Sequence, residues 1–193
     1  MIVSLKGAFV ANLALAAALC TPAFALEQPI SVRTARDGEF VTVSASVLMH
    51  VDLRVAWAVL SDYDHLSKFI PDMQSSRVVS REGNKLRVEQ KGDVGFLFYR
   101  EPVNVLLEVD EDPPRLIVAR SISGNIKGLE TRYELHSSSA GVQLDYTGRF
   151  VPAFSIPPLI GMPIVSRLIE RRFRAMVEEI QCRDAVARSA LKE

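Results

Sequence analysis

The chain reads as an α+β fold in which about seven antiparallel strands form a curved sheet wrapped around one long C-terminal helix, with two short helices after the first strand. Three observations predict it. Between residues 39 and 150 most of the chain alternates apolar and polar side chains with period two. Turn-forming clusters at Glu82-Gly83-Asn84, at residues 110–114 and at Ser123-Gly124-Asn125 cut that alternation into short runs. From residue 163 to about 187 the period changes to that of a helix. Val165, Ile169, Phe173, Met176, Val177 and Ile180 share one face, edged by Ile164 and Leu168, while Arg167, Glu170, Arg171, Arg174, Glu178 and Glu179 take the other. Such a helix runs about seven turns, roughly 37 Å, and cannot cover its own stripe, so the earlier strands must do so.

The elements follow in order. Residues 39–49 set Val41, Val43, Ala45, Val47 and Met49 against Phe40, Thr42, Ser44, Ser46 and Leu48, a half-buried strand. Asp52 is placed to cap a helix carrying Leu53, Ala56, Trp57 and Leu60, and a second short turn over 63–69 stops at Pro71. Strands are then expected at 74–81, 85–94, 98–109, 115–122, 128–136 and 142–150. Consecutive strands joined by short turns pair antiparallel, and their alternation calls for one covered face and one wet face.

Ahead of this domain, Lys6, an apolar run over 8–19 and Ala23-Phe24-Ala25 have the order of a secretory signal peptide. The run is shorter than the roughly 20 residues that span a bilayer. We expect cleavage after Ala25, a single domain over 26–193, and a periplasmic or secreted location. Removing the leader takes one lysine from 23 basic residues against 23 acidic ones and leaves a formal charge of −1. That near balance excludes the basic excess of a nucleic-acid binder. His50, His65 and His136 have no second His, Cys or paired carboxylate at metal-ligand spacing. There is no G-x-S-x-G, phosphate loop or Cys-His pattern. Neither a metal nor a cofactor is expected.

The run Ala56-Trp57-Ala58-Val59-Leu60-Ser61-Asp62-Tyr63-Asp64, leading to Phe69-Ile70-Pro71, together with the proline-rich loop and long closing helix, resembles the START-related helix-grip superfamily. Within it the chain is similar to the polyketide cyclase/dehydrase and coenzyme-Q-binding group, over residues 40–187. The resemblance implies a cavity between sheet and helix that holds an apolar or aromatic ligand. It does not name the ligand, because this architecture hosts lipid carriers, cyclases, hormone receptors and ribonuclease-like plant proteins.

Taken literally, the inward strand faces supply the candidate ligand contacts. Glu101 shares a face with Val103, Val105 and Leu107, and Arg120 with Leu116, Val118 and Ile122. Either Glu101 and Arg120 meet across the hairpin as an ion pair near the cavity mouth, or a bulge near Gly95 turns both outward. Gln90, Tyr133 and Tyr146 are the other polar tips, the tyrosines suited to a carbonyl or quinone oxygen. Ile164, Val165, Leu168 and Ile169 are expected to line the helical wall. The loop over 151–162, with Phe154 at its centre, either lids the cavity, folds flat over the core rim, or touches a membrane surface with help from Arg167, Arg171, Arg172 and Arg174. The functional reading is an exported binding protein for a hydrophobic small molecule: a lipid, an isoprenoid quinone or a polyketide-like aromatic. It assigns no catalytic residue. Two rivals stay open: a cyclase or dehydratase using cavity acid-base groups, and a periplasmic interaction module with a filled core.

Overall fold

Alternation and turn chemistry produce the elements of the computed structural model, which describes residues 29–96, 99–151 and 161–191. The leader expected at 1–25 and most of the 151–162 loop, Phe154 included, lie outside the described residues. The order is β1 (Ser31–Asp37), β2 (Phe40–Met49), α1 (Leu53–Leu60), a 3-10 helix (Tyr63–Lys68), β3 (Met73–Glu82), β4 (Lys85–Phe96), β5 (Tyr99–Asp112), β6 (Leu116–Gly124), β7 (Lys127–Ser138), β8 (Gly141–Val151) and α2 (Gly161–Ala190). All strands join one antiparallel sheet in the spatial order β1-β2-β8-β7-β6-β5-β4-β3. Its register shifts in the β3–β4, β5–β6 and β7–β8 pairs, where bulges add bend and twist.

The sheet has eight strands, not the seven expected. The extra one, β1, is an edge strand whose sequence, Ser-Val-Arg-Thr-Ala-Arg-Asp, has too little apolar content to show an alternation. Backbone pairing with β2 holds it, through a two-residue turn in which Gly38 takes φ +60°. The Asp37-Gly38 dipeptide was the available signal.

The first helix sits where the capping chemistry puts it. Asp52 accepts a hydrogen bond from the Arg54 backbone N–H at 2.7 Å and starts α1. Asp62 precedes the 3-10 helix but does not cap it. Its carboxylate instead takes His65 Nδ1 at 2.6 Å and Arg183 Nη1 at 2.9 Å. The opening strand-helix-helix segment thus carries the chain from β2 to the far edge strand, β3, and ties it to α2 on the way.

The core lies between the concave sheet face and α2. The expected inward residues of β2, Val41, Val43, Ala45, Val47 and Met49, are all buried. Phe173, Met176, Val177 and Ile180 of α2 pack among Val47, Leu86, Val88, Val109, Leu135 and Leu144. Asp184, on the next turn, is almost fully buried and accepts the Asp52 backbone N–H at 2.8 Å, while Arg188 Nε lies 2.6 Å from its other oxygen. This carboxylate fastens the end of α2 to the start of α1. Asp184→Ala removes a charge-assisted hydrogen bond to this N–H together with the Arg188 pair, and should cost about 1–3 kcal/mol. Denaturant unfolding checks this, with an unchanged midpoint counting against the link.

Candidate functional site

The N-terminal half of α2 does not close fully on the sheet. Between them is a cavity of about 270 Å³, walled by residues of the 3-10 corner, β4–β8 and α2. On the helix its wall is Val165, Leu168, Ile169, Arg172, Phe173 and Met176, an i, i+3, i+4 stripe. Val177 and Ile180, further along, pack as solid core. The cavity therefore reaches about two turns deeper along α2 than Ile164–Ile169, where it was expected.

Most of the sequence-predicted strand positions come together there. Gln90, Glu101, Val103, Val105, Tyr133 and Tyr146 all line the cavity, as do Val165, Leu168 and Ile169 of the helix. Three do not. Ile164 is half-buried beside the wall, one step around the helix from Val165. Val118 and Arg120 fall on the opposite face of β6 from the lining residues Ile117 and Ala119. The β5–β6 hairpin pairs Val109 with Ala119 and Glu108 with Arg120, and directly opposed residues share a face. Since Val109 points inward, Ala119 does too and Arg120 cannot; an offset of one residue reverses every side chain on a strand. Arg120 is half-exposed, 3.2 Å from Glu130 and 3.6 Å from Asp110. It stands opposite Glu108, roughly 23 Å of strand away from Glu101. Neither alternative offered for the two residues holds: Glu101 lines the cavity, Arg120 turns outward, and no pair forms between them.

The arginine that does reach the cavity is Arg172. A tight corner places it. The Asp72 carbonyl accepts the Asp93 N–H at 2.9 Å, and the approach is so close that a Cβ on Gly92 would lie 2.3 Å from that carbonyl. Asp72 adopts φ +59° there and pairs with Arg171. Arg172, the next residue, turns inward and donates from Nη2 to the Asp93 carbonyl at 3.1 Å. Its Nε is sealed from solvent and meets no hydrogen-bond acceptor. Burial pulls the guanidinium below the usual arginine pKa, opposed by the nearby Asp72 carboxylate. An arginine still stays charged. Of the arginines considered for headgroup contact, Arg171 and Arg174 engage Asp72 and Glu170, and Arg172 faces the interior.

The two cavity tyrosines stack beside this cation, ring centroids 4.8 Å apart and tilted by 44°, and Tyr146 continues to Phe173 at 6.3 Å. Gly148 makes room for the Tyr146 hydroxyl, which a Cβ there would approach to 2.6 Å. Burial pushes the Tyr133 hydroxyl up to about 12 and the Tyr146 hydroxyl higher still, so both are neutral donors near neutral pH. Neither has a hydrogen-bond partner among the described residues. Tyr63, a third tyrosine in the wall, is committed elsewhere: its hydroxyl donates to Glu111 at 2.8 Å, and Glu111 also pairs with Arg81 at 3.1 Å.

Sequence reasoning grouped Arg172 with the arginines of a headgroup contact and missed its place in the cavity wall. The signal was present, since residue 172 is three positions after Ile169 and four before Met176, inside the apolar stripe.

Several solved structures share this fold. The Zhui aromatase/cyclase from Streptomyces sp. R1128 matches with a TM-score of 0.61 at 18% identity, over 76% of this chain and 96% of that one. A STAR-related lipid transfer protein from Xanthomonas axonopodis matches with a TM-score of 0.60 at 13% identity, over 79% and 93%. A START superfamily protein from Mycobacterium smegmatis gives 0.57 at 14%, over 76% and 98%. No curated protein sequence matches significantly. A family model described as polyketide cyclase / dehydrase and lipid transport matches residues 49–178, and the chain belongs to that family.

Proposed function

We propose that the protein is an exported carrier that holds a hydrophobic small molecule, such as a lipid, an isoprenoid quinone or a polyketide-like aromatic, without turning it over. The observation that carries this reading is the cavity of about 270 Å³ between sheet and α2, mostly apolar with a few convergent polar groups. Export is supported by Lys6, the apolar run over 8–19 and Ala23-Phe24-Ala25. Burying about 300 Å² of ligand apolar surface gives roughly 7 kcal/mol before ordering costs, so binding tighter than about micromolar needs the polar groups as well. The tyrosine hydroxyls suit this role. Held protonated, they donate to a ligand oxygen and are poor bases, which favours binding over proton abstraction.

Three outcomes test the proposal. Protein isolated from its own host should begin at Leu26 and show, by native mass spectrometry, a small-molecule adduct lost on solvent extraction; a bare chain mass counts against a carrier. Ala119→Phe, filling the cavity from β6, should weaken binding of the fluorescent apolar probe N-phenyl-naphthylamine about tenfold or more, at an overpacking cost of about 1–3 kcal/mol. Unchanged affinity would put the probe elsewhere. Finally, Tyr133 is raised on folding from 10.0 to about 12, so the stability that its neutral form gives is complete below pH 10 and is lost as pH climbs from 10 towards 12. Denaturation across that range should show a shallower fall for Tyr133→Phe than for the parent.

A further inference from the structure

Arg172 is hard to explain as part of a solid core. A guanidinium taken out of water is costly unless its donors are matched, and a buried charge that lacks a matched partner costs several kcal/mol (about 3–5). Here one neutral carbonyl, that of Asp93, takes Nη2, and Nε has nothing. The nearest carboxylate, Asp72, is engaged by Arg171. Lys91 and Glu101 are the other charged residues in the wall. Facing the same space are two phenolic hydroxyls with no hydrogen-bond partner among the described residues, so three donor groups around this part of the cavity lack a full set of acceptors. A neutral hydrocarbon would leave all three groups unsatisfied. An oxyanion would satisfy them together, and a charge-assisted bond to arginine is about twice as strong as a neutral one.

Building on the carrier reading, we propose that Arg172, with the hydroxyls of Tyr133 and Tyr146, receives an anionic oxygen group on the ligand, so that the cargo is an apolar molecule with one acidic head rather than a neutral lipid or hydrocarbon. The acidic group lies inside, at the Asp72–Asp93 corner, and the apolar body runs along Val165, Leu168 and Ile169 against β5 and β6.

The test compares dodecanoate with dodecanol, each displacing N-phenyl-naphthylamine from the full chain at neutral pH. The parent protein should bind dodecanoate about tenfold or more tightly than dodecanol, the size of one charge-assisted hydrogen bond. In Arg172→Met the ratio should fall to near one, and in Arg172→Lys it should lie between, with circular dichroism confirming the fold of each. A parent ratio near one, or a ratio unchanged in Arg172→Met, overturns the proposal while leaving the carrier reading in place, since the neutral compounds still bind. If Arg172→Met fails to fold, the parent ratio alone decides. Failure of all three compounds to bind removes the carrier reading and this proposal together.

Discussion

Everything in this molecule depends on one constraint: a single long helix must be covered by a sheet that offers only one apolar face. The helix is 30 residues long, about 45 Å, so an eight-stranded sheet has to curve along it to cover the stripe. The covering is uneven. Where Val177 and Ile180 meet Val47, Leu86 and Leu144 the contact is solid, and Asp184 pins that end to α1. Nearer the N-terminus of the helix the two surfaces separate and leave the cavity. Anchoring and binding are thus divided along one element, and the anchored end supports the open one.

The same division accounts for the placement of polar groups. At the packed end, polar side chains close on one another, as in Asp62 with Arg183 and Asp184 with Arg188. At the open end the match is incomplete: Arg172 Nε and the hydroxyls of Tyr133 and Tyr146 have no hydrogen-bond partner among the described residues. A polar network that is only partly satisfied is expensive in a core and informative in a cavity, because it describes what the occupant must bring. Family membership brings together polyketide chemistry and lipid transport. The carrier we propose draws on the second of these, since protonated tyrosines and a fixed cation suit holding a molecule better than withdrawing its protons.

How much of this was legible can be argued residue by residue. The alternation of β2, β4, β5, β7 and β8 put Val41, Val88, Val105, Tyr133 and Tyr146 on the covered face directly, since side-chain direction on a strand follows from parity. β6 was read one residue out of phase because Leu116, Val118 and Ile122 look as apolar as Ile117 and Ala119. Both faces of that strand carry apolar residues, and only pairing with β5 resolves which is inside. β1 escaped notice because its stability comes from backbone pairing along β2 rather than from buried side chains.

The sequence by itself determined the class of fold, the closing helix and most of the wall of its cavity. Those follow from periodicity and turn chemistry, which are local and survive without knowledge of neighbours. Only the tertiary structure decided which arginine enters the cavity. Arg120 and Arg172 are chemically alike, and each sits within an apolar pattern. The hairpin register sends the first to Glu130 and Asp110 at the surface. The close approach of Asp72 to Gly92 and Asp93 receives Arg171 outside and draws Arg172 within. That choice depends on contacts between residues about 80 to 100 positions apart, and no local pattern encodes them.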